Sequence, residues 1–157
     1  MTRLRRSRIY LPGNRPRMIQ KGPLLGADVV ILDLEDSVAP GEKDAARNLV
    51  TNAIRTVDFG ETEVMVRINP LNGCGLEDLA AVLPAGPDAI VVPKSENRES
   101  IRVVEKAILE HPAVEMTVVF GVPDPQRGGA VSVFNILNHP NLNHRCEVIS
   151  GILENDC

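Results

Sequence analysis

Long apolar runs are missing from this chain, and so is any ordered use of cysteine. Its three cysteines, Cys74, Cys146 and Cys157, are odd in number and lack metal-ligand spacing, which excludes a disulfide framework and a zinc site. No apolar stretch approaches the ~20 residues that cross a bilayer, and the arginine-rich start is not followed by the apolar segment of a signal peptide. No glycine-rich loop follows a strand in the context that cradles phosphates. The net charge is −4 and the basic residues are dispersed beyond the N-terminus, which excludes the clustered basic face of a nucleic-acid-binding protein. A cytoplasmic chain with no membrane and no nucleic-acid partner is therefore expected. One basic cluster stands apart: Arg3, Arg5, Arg6, Arg8, Arg15 and Arg17. It reads either as a solvated terminus or as a set that holds phosphates, whose oxygens match the guanidinium fork.

The 157 residues suit one domain or a piece of a larger one, with enough apolar content for a core. Apolar runs alternate with helical patterns, the order that builds a parallel α/β sheet or barrel. Strands are expected at Arg8 to Leu11, Asp28 to Leu34, Glu63 to Ile68 and Ala89 to Val92, with a fifth at Val114 to Phe120. Between them the spacing predicts helices from Pro16 to Leu25, Glu42 to Val57, Leu76 to Val82 and Arg98 to Leu109. Pro16 suits a first helical turn and Gly26 a C-terminal cap. The second helix carries Ala45, Ala46, Leu49, Val50, Ala53 and Ile54 at helical spacing, which leaves Lys43, Arg47 and Arg55 outward.

Four βα units in sequence predict an α/β fold of TIM (β/α)8-barrel type. Only the N-terminal part is expected, with one or two further strands, because a whole barrel takes ~250 residues. The pattern degrades from about Gln126. The chain thus divides into a barrel-like part, residues 1–125, and a divergent tail, residues 126–157, in which Glu147 to Leu153 forms a strand or a helical turn.

The second strand holds the most informative pattern. Val29-Val30-Ile31-Leu32 runs into Asp33, Glu35 and Asp36, three acids within four positions. So apolar a run suits a strand covered on both faces, whose carboxyl end opens into the crevice where parallel α/β folds bind ligands. Acids that simply end a strand in solvent are the alternative. The other strands also end in polar residues, Asn14-Arg15, Arg67 to Asn69 and Lys94-Ser95, and such ends converge on one mouth.

These landmarks carry a resemblance. Arg6-Ser7, Tyr10-Leu11-Pro12-Gly13-Asn14-Arg15-Pro16-Arg17-Met18, Gly26-Ala27-Asp28, Asp33-Leu34-Glu35-Asp36-Ser37-Val38, Lys43 and Ala46-Arg47 stand in order. Val66-Arg67-Ile68-Asn69-Pro70, Asp78-Leu79 and Val92-Pro93-Lys94 follow. Over residues 5 to 112 the sequence resembles the citrate lyase β subunit and its relatives, among them malyl-CoA lyases.

That resemblance implies a TIM barrel that makes or breaks a carbon–carbon bond beside a carbonyl. The reaction it implies is cleavage of citryl-CoA to acetyl-CoA and oxaloacetate, with Mg2+ holding the oxo acid. Metal and arginine would polarise the departing oxo acid while the enolate is stabilised. Arg67 matches the family arginine that grips the oxo acid; its other reading is a structural ion pair to Glu35 or Asp36. Glu35 and Asp36 match acids beside the metal that bind its waters or orient the arginine. Lys94 either supports the acidic cluster or simply ends its strand. Arg15 and the basic N-terminus would face the phosphates of a coenzyme A thioester. His111, His139 and His144 match no landmark and read as loop residues.

The family also has a metal-binding glutamate, usually followed by threonine, at the end of strand five. No Glu-Thr pair follows Leu109 here. Instead Val118-Val119-Phe120-Gly121-Val122-Pro123-Asp124 resembles the family's strand-six motif. Either strand five and its helix are deleted, which makes Asp124 the surviving metal ligand, or the similarity is fortuitous. A barrel cut short would expose sheet edges and an apolar interior, so a homo-oligomer or a place in a lyase complex is expected. The alternative to an active lyase is a catalytically inactive truncated fragment that binds a partner lyase subunit.

Overall fold

The computed structural model describes residues 5–94, 98–111, 117–119 and 147–149. Four strands form one parallel sheet in chain order: β1 (Arg8–Pro12), β2 (Val29–Asp33), β3 (Glu63–Arg67) and β4 (Ala89–Val91). Each is followed by a helix: α1 (Pro16–Lys21), α2 (Lys43–Thr56), α3 (Gly75–Val82) and α4 (Arg98–Leu109). This is the N-terminal part of a TIM-type α/β fold, as the alternating pattern implies. Two further strands, β5 (Thr117–Val119) and β6 (Glu147–Ile149), pair in parallel with each other as a separate sheet.

The first helix is shorter than its apolar pattern suggests. Pro23 lies in the 3-10 turn Gly22–Leu25 that follows α1, and Gly26 closes that turn in the left-handed region, with φ 65°.

Strand parity separates two apolar layers. Val30, Leu32, Leu34, Val64, Val66, Ile68 and Ile90 pack with Ile19 of α1, Ala46, Val50 and Ala53 of α2, Leu79 and Val82 of α3, and Val104 and Ile108 of α4. The opposite face of the sheet carries Val29, Ile31, Met65 and Ala89, and each is at most 1% exposed. The apolar interior expected to lie open is therefore buried at these positions. Coverage on both faces explains why β2 reads as a continuous apolar run rather than an alternating one.

The carboxyl end of the sheet is tightly built. The Gly13 amide donates to the Asp33 carbonyl at 2.8 Å, and a Cβ on Gly13 would stand 2.7 Å from that oxygen. A Cβ on Gly75, the first residue of α3, would stand 2.2 Å from the carbonyl oxygen of Asn69. Backbone oxygens cannot yield as a flexible side chain does, so Gly75→Ala should cost about 1–3 kcal/mol through overpacking. Gly41, whose Cβ would meet nothing within 4 Å, is the control. Urea denaturation of the two variants should show a lowered midpoint for Gly75→Ala and an almost unchanged one for Gly41→Ala.

Candidate active site at the carboxyl ends of the strands

The parallel register places Asp33 directly beside Arg67, as the last residues of neighbouring strands and on the same face. Arg67 donates from Nε to Asp33 Oδ1 at 2.7 Å and from Nη2 to Asp33 Oδ2 at 2.8 Å, a two-pronged fork on a carboxylate. The same carboxylate accepts the amides of Glu35 at 2.9 Å and Ser37 at 3.1 Å, so it also shapes the turn that follows β2. Burial alone would raise the Asp33 pKa. The hydrogen bonds from Arg67, Ser37 and the Glu35 amide outweigh it and hold the carboxyl at about 2. The same pair raises the Arg67 pKa, against the opposing effect of burial.

The third nitrogen of Arg67 is held less closely. Nη1 lies 3.2 Å from Glu35 Oε2 and 3.6 Å from Asp36 Oδ2. One face of the guanidinium lies over the Tyr10 ring, 4.9 Å from its centroid. Tyr10, Ile31 and Met65 sit side by side in the register, one step below the Asp33–Arg67 level on the same face of the sheet.

Lys94 completes the cluster. Its Nζ lies 2.9 Å from Glu35 Oε1 and 3.6 Å from Asp36 Oδ1, and its backbone stands in the left-handed region at φ 48°, where a side-chain-bearing residue is strained. Glu35 foremost, and Asp36 after it, raise the Lys94 pKa. The side chains of Lys94 and Asp36 are both more than 60% exposed, so their mutual attraction is screened. Glu35 differs: it is buried, and Oε1 accepts no well-aligned hydrogen bond. Lys94 Nζ is the charged partner of that oxygen.

Several sequence expectations meet at this point. Arg67, Glu35, Asp36 and Lys94 come together, but the main partner of Arg67 is Asp33 rather than either following acid. Arg15 is exposed in the turn after β1, at the same end of the sheet. Arg5 and Arg6 are not there. Arg5 forks onto Glu63, the first residue of β3, at 2.6 and 2.8 Å, and Arg6 pairs with Asp28 just before β2 at 3.0 Å. Arg5 and Arg6 therefore tie the strand starts together, at the end of the sheet opposite Arg67. Lys43 and Arg47 also depart from expectation: both turn toward the sheet end, because buried acceptors lie within their reach, while Arg55 stays exposed. Asp124, the expected metal ligand, lies outside the described residues.

Among the described residues no three His, Cys, Asp or Glu side chains gather as metal ligands. The acids of the cluster are engaged by Arg67 and Lys94, so they do not by themselves fit a magnesium ion. No helix among the described residues is long and apolar enough to cross a membrane.

The Asp33 carboxyl ties stability to acidity. Its folded pKa lies below the usual 3.8, so its contribution is fully present above pH 3.8 and is lost as pH falls through about 2. For this almost fully buried group the contribution is about 2 kcal/mol. Urea midpoints of the wild type should fall between pH 4 and pH 2. Asp33→Asn should lower the midpoint at pH 7 and show a flatter dependence across that acidic interval.

Comparison with known proteins places this geometry. Residues 6–126 match the HpcH/HpaI aldolase/citrate lyase family, and residues 103–155 match the AMP-binding enzyme C-terminal domain. The citrate lyase subunit beta of Leuconostoc mesenteroides subsp. cremoris is 42% identical over 109 residues, 69% of this chain and 36% of that protein. A (3S)-malyl-CoA thioesterase of Cereibacter sphaeroides is 34% identical over 138 residues, 87% of this chain and 46% of that protein. Protein CitE from Mycobacterium tuberculosis, solved in complex with magnesium and acetoacetate, superposes with a TM-score of 0.59 at 29% identity, covering 87% of this chain and 52% of that one. The chain thus spans less than half the length of these two curated relatives. With the Arg67 cluster at the carboxyl ends of a parallel βα array and a family match over most of its length, the chain belongs to the HpcH/HpaI aldolase/citrate lyase family.

Proposed function

We propose that the Arg67 cluster is the oxo-acid site of a carbon–carbon lyase of citrate lyase β-subunit type, acting on an acyl thioester such as citryl-CoA to give acetyl-CoA and oxaloacetate. The observation that carries this reading is the uneven grip on Arg67. Asp33 holds Nε and Nη2 closely, while Nη1 has only contacts of 3.2 and 3.6 Å. An incoming carboxylate can take Nη1 without disturbing the fork to Asp33, and Tyr10 supports the guanidinium from one face.

In the cleavage, the bond between the carbinol carbon and the thioester methylene breaks. The hydroxyl loses its proton as the carbinol becomes the ketone of oxaloacetate, and the methylene, released as an enolate, takes up a proton. Arg67 would hold the oxo-acid carboxylate and stabilise charge close to the reacting carbons. Glu35, buried between Arg67 and Lys94, would orient Arg67 or bound water, and Lys94 would hold Glu35 in place. Arg15 is the remaining candidate for the thioester's phosphates.

Magnesium enters this reading through relatives whose structures hold it with acetoacetate or pyruvate. In this chain it would depend on Asp124, because the described acids do not fit it alone. A cytoplasmic homo-oligomer, or a subunit of a lyase complex, completes the proposal. For the domain organisation we propose a barrel-like part over residues 1–125 and a distinct segment over 126–157.

A second reading has its own support. The match of residues 103–155 to a different family, and the missing Glu-Thr pair after α4, favour a chain that binds ligand or a partner lyase subunit without catalysing cleavage. Citryl-CoA cleavage with and without magnesium, alongside oxaloacetate titration calorimetry, separates the two. A lyase should turn over with the wild type and lose about 10²–10³-fold in Arg67→Ala, the usual effect of removing one electrostatic stabiliser. Oxaloacetate binding without turnover would establish the second reading. Equal inactivity of wild type and variant, with no binding by either, would rule out both ligand-based forms of the proposal.

A further inference from the structure

Four residues within the family-like landmarks, Lys43, Arg47, Asn69 and Asp78, have no part in the site as described, yet they form one network directly behind it. The Lys43 ammonium donates to two successive carbonyls, Leu34 at 2.7 Å and Glu35 at 2.5 Å. The Asn69 side-chain amide donates to the same Leu34 carbonyl at 2.9 Å and to Asp78 Oδ2 at 2.7 Å. Asp78 Oδ2 also accepts the Asn69 backbone amide at 2.8 Å, and Asp78 Oδ1 accepts Arg47 Nε at 2.8 Å. Arg47 is held in turn by Asp44 at 2.7 Å.

The peptide these donors grip joins the two halves of the cluster. On one side is Asp33, whose carboxylate forks with Arg67; on the other is Glu35, which faces Nη1 and Lys94. One residue, Leu34, separates these acids; its amide still donates to the Arg67 carbonyl at 2.9 Å, but beyond it the chain leaves the strand, so the ladder does not reach Glu35. Asp33 shapes the turn from within, through the amides of Glu35 and Ser37. Lys43 and Asn69 hold its carbonyl side, from α2 and from the loop after β3 respectively.

We infer that Lys43 and Asn69 are positioning residues, which fix the Leu34–Glu35 backbone so that the carboxylates of Asp33 and Glu35 both meet Arg67. Asp78 and Arg47 act one step further out, by aligning Asn69. This deepens the reading of the Arg67 cluster as the functional site and rests on it.

The test follows the Arg67 side chain by 15N NMR in the full chain, reading hydrogen exchange and chemical shift of its Nε–H, beside urea midpoints for stability. In Lys43→Met and in Asn69→Ser the turn loses one of the two side chains that hold its carbonyls. The Arg67 Nε–H should then exchange roughly tenfold faster, the effect of weakening one hydrogen bond. Its shift should also move, and Lys43→Arg should restore both. A residue that serves stability alone would lower the midpoint and leave the Arg67 signal in place. The inference falls if the signal is unchanged in both variants, or if both lose their fold, since the network would then build the fold rather than the site. The readout needs no ligand, so a wild type that fails to bind oxaloacetate defeats the lyase proposal and leaves this result standing by itself.

Discussion

The pairing of Asp33 with Arg67 is the interaction on which the rest of the site depends. It joins register partners at the ends of adjacent strands, so the sheet itself brings the two charges together. Replacing a buried ion pair with well-packed apolar groups is often neutral or stabilising, so such a pair gives weak evidence that stability is its purpose. Three features here point beyond stability. The pair lies at the carboxyl end of a parallel sheet, the guanidinium keeps a loosely held nitrogen, and a strained lysine stands opposite. Each has a cost in a purely structural account, and each places charge at the mouth.

The electrostatics of the cluster are correspondingly uneven. Asp33 is saturated: two guanidinium donors and two amides leave it little capacity for anything else. Glu35 is buried but only partly satisfied, and Asp36 is largely exposed. Three acids within four positions therefore have three different roles in the structure. One builds, one faces the site from a buried position, and one lies at the rim.

Much of this was legible in the residues. Both faces of β2 had to be covered, because no alternation breaks Val29 to Leu32, and the α4 boundaries follow directly from its apolar spacing. Asp33 was harder to assign because it looks like the end of a strand rather than part of a site. Parity was the usable signal: Asp33 continues Val29 and Ile31, Arg67 continues Met65, and aligning those rows puts acid beside arginine. No such signal exists for Lys43 and Arg47. Helical spacing sets them off the apolar stripe, but the first turns of α2 lie over the strand ends, where long side chains reach buried carbonyl and carboxylate oxygens. Arg5 and Arg6 illustrate the same limit. Their neighbours in the sequence suggested one basic patch, and the sheet direction put Arg5 and Arg6 at the opposite end from Arg15 and Arg67.

The overlap of two family matches over residues 103–126 has a physical basis in α4. Val104 and Ile108 bury themselves in the layer between sheet and helices, and Ile101 shares their spacing. A helix with one apolar stripe, followed by a short β-branched strand such as Thr117–Val119, can pack on many parallel sheets. Its sequence is thus weakly diagnostic of which sheet it serves. The strand β5 pairs with β6 and also lies against β4; β5 falls within both matches and β6 within the second alone. The residues that would carry oxo-acid recognition then all precede α4, on the four βα units where Asp33, Glu35, Arg67 and Lys94 already meet.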